Sequence, residues 1–171
     1  MDEGLLLLRL VVGLTMAAHG SQKLFGWFGG GAPAGTAAFF GSLGYRAPAA
    51  AALIVGVTEL AGGLALAGGF LTPLAALGIV VVMLNAIESV KLRYGFFAGA
   101  GGYELELLLL TTAVALAATG PGRWSLDRAI GWDDELSGYA WGGAVLGVGI
   151  AIAFFTMTWG RGEPESTEIP T

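Results

Sequence analysis

Five stretches of about 20 residues, each almost free of charge, run through the chain at 4–24, 48–68, 73–92, 103–120 and 138–159. At about 1.5 Å per helical residue, such a stretch crosses roughly 30 Å of hydrocarbon. This pattern fixes the solvent before anything else is considered. Composition agrees: 55% of residues are apolar and 12% are charged, about half the charged share of a soluble domain. The expected fold is all-α, an integral membrane helical bundle built as one compact unit. Net charge is −5 with no basic cluster, so nucleic acid is not an expected partner.

The residue inventory excludes much chemistry. Cysteine is absent, which removes disulfides, thiolate metal sites and an intrinsic dithiol–quinone relay. A single histidine removes bis-histidine haem ligation and a multi-histidine metal site within one chain. No metal is expected. Any redox role must use a quinone, another cofactor or a partner protein.

Met1 is followed by Asp2 and Glu3, whereas a signal peptide would carry positive charge there, so the first span is expected to stay in the mature protein. Arg9, one to two turns inside it, is expected to snorkel to the near interface, with pairing to a buried acid as the alternative. Residues 27–46 read as a loop, because Gly29-Gly30-Gly31, Pro33 and Gly35 break helices. Within it, residues 36–43 could form a short interfacial helix dipping Phe39 and Phe40 into the bilayer. The glycines are no phosphate cradle, since no Gly-Lys-Ser/Thr follows them.

Glu59 lies near the middle of the second span. A carboxylate there costs several kcal/mol unless protonated, paired or facing water, which makes it either a functional group or a hydrogen bond across the bundle. The connector at 69–72 is short, so the second and third spans are antiparallel neighbours. Asn85, Glu88 and Lys91 follow one another by helical turns, either facing the bundle or surfacing from it. Glu104 and Glu106 begin the fourth span, where acids complement the helix dipole. Gly120-Pro121-Gly122 ends it and an acidic loop at 121–137 follows. The fifth run is bracketed by Tyr139 and Trp141 at one end and Trp159 at the other, as interfacial anchors would be. Its Gly138-xxx-Gly142 and Gly143-xxx-Gly147 spacings offer close helix packing.

His19, Gln22 and Lys23 close the first span at i, i+3, i+4 and share one helix face. When the spans are threaded alternately, His19, Gln22, Lys23, Asn85, Glu88, Lys91, Glu104 and Glu106 all fall toward one membrane face, with Glu59 below them. These residues, Glu106 aside, are the candidate polar pocket. The clustering fits a ligand site between helices, and it fits a bundle knitted by buried hydrogen bonds equally well.

The run His19-Gly20-Ser21-Gln22-Lys23-Leu24-Phe25-Gly26 resembles the first-helix motif of the DoxX family. So do, in the family's order, Gly35-Thr36 with Phe39-Phe40, Leu43-Gly44, Glu59-Leu60 with Gly62-Gly63, Leu71-Thr72-Pro73, Gly95-Phe96-Phe97, Gly102-Tyr103-Glu104 and Gly120-Pro121-Gly122 with Ser125-Leu126-Asp127. The likeness covers about residues 4–130. It implies a small multi-pass protein of the inner (plasma) membrane with a four-helix core at 1–130. The remainder would be an acidic loop and fifth transmembrane helix at 131–159, then a polar, disordered tail at 160–171. The family's founding member is similar to the membrane subunit of a thiosulfate:quinone oxidoreductase, and other members are tied to thiol or oxidative-stress complexes. Where the family often has a histidine in its third-helix motif, this chain has Lys91, a departure that argues against two histidines acting together here.

Three functional readings follow. One is a membrane subunit of an oxidoreductase passing electrons from a sulfur compound or thiol to quinone. There His19 and Lys23 would hold a quinone carbonyl or an anionic substrate, and Glu59 or Glu104 would handle a proton. Another is a non-catalytic scaffold that recruits a soluble partner; a small-solute or proton permease is a third. The expected partners are the lipid bilayer, a soluble or membrane redox subunit, and a second copy of the chain. Basic residues divide too evenly between the two faces, once Lys23 and Lys91 are set aside as site residues, to orient the bundle.

Overall fold

A helix satisfies every backbone group within itself, which is what a segment immersed in hydrocarbon requires. The long apolar runs accordingly become helices in the computed structural model, which describes residues 2–162. The first, α1, is Asp2–Phe25, and α2 is Ala32–Ser42. Next come α3 at Pro48–Gly68 and α4 at Thr72–Ala86. The helical path of α4 continues through a π-helical turn at Ile87–Lys91 and a 3-10 turn at Leu92–Tyr94. Then follow α5 at Glu104–Thr119, a short α6 at Leu126–Ala129 and α7 at Tyr139–Trp159. Among the described residues, four helical stretches are long and apolar enough to cross a membrane: Asp2–Phe25, Pro48–Gly68, Thr72–Tyr94 and Tyr139–Trp159. At 16 residues α5 is shorter.

Chain punctuation explains the boundaries. Pro48 opens α3 in its first turn, where a missing N–H costs no helical bond. Gly69 closes it in the left-handed conformation at φ 64°, while Phe70 N donates to Ala65 O at 2.8 Å, the long bond of a Schellman cap. Pro73 stands at the start of α4 for the same reason as Pro48.

Long helices consecutive in the chain run antiparallel, whereas α4 and α7 pack side by side in parallel. α1 packs most extensively on α3, α4 lies against α3, α5 and α7, and α7 also covers α5. Met16, Leu66, Ile79, Val80 and Leu116 fill the centre and are almost fully buried. The outward faces carry exposed large apolar side chains such as Leu7, Leu14, Ile54, Leu74, Leu108 and Phe154, which suit lipid. Two ends result. Asp2, Gly69, Gly120 and Tyr139 mark one; Phe25, Pro48, Tyr94 and Trp159 mark the other.

Several expectations are corrected. The short helix expected within 27–46 is present as α2, but it starts at Ala32 rather than Thr36, because Pro33 sits in its first turn, where proline is tolerated. Phe40 does not dip into the bilayer; it is buried against Tyr45 at 4.9 Å, and only Phe39 faces outward. Arg9 does not snorkel. It is fully buried, and its guanidinium donates to the carbonyls of Pro121 and Trp124, tying the loop after α5 to α1. In α7 the packing glycines are Gly142, against Ala118, and Gly149, against Val80; Gly143 and Gly147 touch nothing. The tail from residue 163 onward lies outside the described residues.

Candidate functional site

The site at the Phe25 end begins with the contact between α1 and α3. Gly13 faces Gly63, and Gly20 faces Gly56 and Leu60. A Cβ on Gly13 would sit 2.5 Å from Gly63 O, and one on Gly63 would sit 2.5 Å from Ala17 N. With no side chains between them the two backbones come together, and polar groups along the seam are shielded from lipid.

Lys23 and Glu59 lie on that seam. In a helix each Cα–Cβ bond tilts toward the N-terminus. The helices are antiparallel, so Lys23 leans inward along α1 while Glu59 leans outward along α3. They meet with Lys23 Nζ donating to Glu59 Oε2 at 2.5 Å. The Glu59 side chain is 4% exposed and that of Lys23 25%. Glu59 is therefore paired, the condition that makes a carboxylate tolerable at such depth.

One turn before Lys23, His19 is exposed on the same helix and lies near Glu59. Its Nδ1 lies 3.1 Å from Gln22 Oε1, the geometry of a ring N–H donating to the amide. Gln22 in turn donates through Nε2 to Phe28 O at 3.4 Å. The loop there is tight, with Phe28 in the left-handed region at φ 53° and Gly30 pressed against the Gln22 backbone. His19–Gln22 and Lys23–Glu59 are thus two hydrogen-bonded pairs on adjoining turns of α1, with no hydrogen bond between them among the described residues.

The other candidates fall into separate groups at the same end. Asn85 accepts from Thr156 Oγ1 at 2.8 Å through Oδ1 and donates to Val81 O at 2.9 Å, joining α4 to α7. Glu88 receives Arg161 at 2.8 Å, and Arg161 also lies over the Tyr45 ring at 5.2 Å. Lys91 stands 3.5 Å from Glu106 across α4 and α5. Glu104 accepts from Ala98 N at 2.9 Å and so orders the 95–103 loop. Among the described residues no side-chain hydrogen bond or ion pair joins these groups to the Lys23–Glu59 pair. Nor does any group of three or more histidine, cysteine, aspartate or glutamate side chains there assemble as a metal site.

Sequence reasoning overlooked a polar centre at the opposite end. Asp127 is fully buried and accepts from Leu71 N at 2.7 Å, Thr72 N at 3.0 Å and Thr72 Oγ1 at 2.8 Å, capping the buried amino end of α4. Its charge also faces the buried Arg9. The signal was available: an acid two residues after a helix-cap serine, and an arginine inside an apolar span, each needing a partner.

A family model described as DoxX matches residues 4–92. The chain is 35% identical over 126 residues to "Putative oxidoreductase CatD" of Bacillus subtilis, covering 74% of this chain and 86% of that protein. It is 33% identical over 135 residues to "Uncharacterized membrane protein Rv3486" of Mycobacterium tuberculosis, covering 72% and 78%. No solved structure matches it.

Proposed function

The chain belongs to the DoxX family of membrane proteins, and from that premise we propose that it is the plasma-membrane subunit of a redox complex delivering electrons from thiosulfate or a thiol to quinone. The observation that carries this reading is the Lys23–Glu59 pair inside the α1–α3 seam, with His19 beside it. The word oxidoreductase in the name of CatD adds weight.

The residues fit a quinone headgroup. With Nδ1–H donating to Gln22, the His19 ring keeps Nε2 free of any protein partner among the described residues. In the neutral ring that nitrogen accepts from a quinol hydroxyl, and in the protonated ring it donates to a quinone carbonyl oxygen. Glu59 would handle a proton, and Lys23 balances its charge when it is ionised. Exposure of His19 at the seam leaves room for an apolar tail in the surrounding lipid. A bound quinone would supply the acceptor for two electrons and two protons. The electrons come from a partner subunit, because this chain has no thiol.

The test is native mass spectrometry of the protein in mild detergent, with extraction and identification of bound small molecules. Wild type is compared with His19→Ala and Glu59→Gln. Quinone carried by wild type and lost from either variant is the expected result. Absence of quinone from wild type purified out of quinone-containing membranes defeats the proposal.

One observation favours a second reading, a non-catalytic scaffold. Asn85, Glu88, Lys91, Glu104 and Glu106 are all engaged with other parts of the bundle, as structural groups would be. A soluble protein copurifying in stoichiometric amount, with no quinone, is the result that reading expects.

A further inference from the structure

At the end opposite His19, a cleft of about 600 Å³ opens on the side of the bundle. Its floor is apolar, formed by Leu6 of α1, Ala67 of α3 and Leu126 of α6, and its rim carries Arg123, Trp124 and Arg128. It is independent of the quinone reading, since none of these residues belongs to the His19 group.

The two arginines are differently committed. The Arg123 guanidinium lies over the Trp124 ring at 5.1 Å and carries no carboxylate partner among the described residues, while Asp2 Oδ1 accepts from the Arg123 backbone N–H at 3.1 Å. Arg128 gives one nitrogen to Asp133 at 2.7 Å on the exposed surface, a pair of small net strength that leaves its other donors free. Behind the wall, Arg9 fixes this rim by donating to the carbonyls of Pro121 and Trp124, so the arginine-bearing loop is held rather than floating. Exposed Trp124, Trp132, Tyr139 and Trp141 gather at the same end, where aromatic side chains mark the boundary between hydrocarbon and headgroups. A guanidinium suits phosphate by its planar fork of donors, and basic pockets beside transmembrane helices hold lipid headgroups.

We propose that this cleft binds one anionic glycerophospholipid, its phosphate between Arg123 and Arg128 and an acyl chain over Leu6 and Ala67. An apolar floor continuous with the lipid-facing sides of α1 and α3 matches the chain, and the unpaired charge of Arg123 matches the phosphate. A soluble phosphate would use only the rim.

The experiment titrates delipidated protein in mild detergent with phosphatidylglycerol and counts lipid adducts by native mass spectrometry, with helical circular dichroism as the check on folding. Wild type is expected to hold one lipid. The exposed-residue double variant Arg123→Gln/Arg128→Gln should bind about tenfold or more weakly while remaining helical. Leu6→Trp, which fills the floor, should weaken binding as well, and phosphatidylcholine should bind less tightly than phosphatidylglycerol. Equal retention by wild type and the double variant overturns the proposal. Displacement of the lipid by millimolar inorganic phosphate, or indifference to Leu6→Trp, also overturns it in favour of a soluble phosphate site.

Discussion

Glu59 and Asp127 show how differently two buried carboxylates are provided for. Glu59 has one partner, Lys23, at 2.5 Å. Removing one member of a buried pair leaves a lone charge and costs about 3–5 kcal/mol, whereas replacing both with apolar groups is often neutral. Lys23→Met should therefore destabilise the protein by about 3 kcal/mol, and Lys23→Met/Glu59→Leu should recover most of that loss in thermal unfolding in detergent. Two losses that simply add would show that the pair is not coupled. Asp127 is held by three donors and faces Arg9. Asp127→Asn keeps the shape but removes the charge, and should lower stability by about 2–4 kcal/mol. The surface counterpart Asp133→Asn, which loses only its exposed pair with Arg128, should melt close to wild type in the same assay. Equal effects at the two positions would mean that Asp127 does not hold the loop to α4.

At the scale of elements, the seam between α1 and α3 depends on glycines seven residues apart, Gly13 and Gly20 facing Gly63 and Gly56. Gly63→Leu would drive a side chain into the α1 backbone and should cost about 3 kcal/mol or more, separating Lys23 from Glu59 as it does so. Gly143→Ala, on the open face of α7, should change melting little. A melting temperature that responds alike to both would refute the seam. The contrast also marks what the amino-acid order discloses. Apolar runs disclosed the spans, because the bilayer imposes length and composition on them one segment at a time. They could not disclose which glycines meet a neighbour, since that depends on helix rotation, and so Gly142 pairs with Ala118 while Gly147 meets nothing. For the same reason Lys23–Glu59 could be suspected from the presence of a deep acid, but its partner was not legible until the antiparallel tilt was known. Asn85 looked like one member of a single polar stripe with Glu88 and Lys91. The π-helical turn at Ile87–Lys91 redistributes that stripe among α7, Arg161 and α5. Such turns are rare and frequently found at functional sites, but no residue pattern announces them.

For the molecule as a whole, the open question of mechanics is the passage of α5. Its 16 residues span about 24 Å, short of the roughly 30 Å hydrocarbon core. Yet it starts beside Lys91 through Glu106 and ends at Gly120-Pro121, where Arg9 holds the following loop, so it connects the two ends of the bundle. A thinner bilayer around the protein, or flanking polar groups reaching toward the headgroups, accommodates such a mismatch at modest cost. The residues flanking α5 should therefore lie on opposite sides of the membrane. The chain contains no cysteine, so single cysteines can be introduced and labelled without removing any native thiol. Gly99→Cys and Asp134→Cys, both at exposed positions, should react with a membrane-impermeant maleimide from opposite sides of sealed vesicles of uniform orientation. Ser42→Cys should behave like Gly99→Cys, since α2 lies at the Phe25 end. Labelling of Gly99→Cys and Asp134→Cys from one side would make α5 re-entrant, and would place the His19 group and the arginine-rimmed cleft within reach of the same compartment. Opposite labelling sets those two features in different leaflets, where a soluble electron donor and a lipid headgroup would meet the protein from different sides.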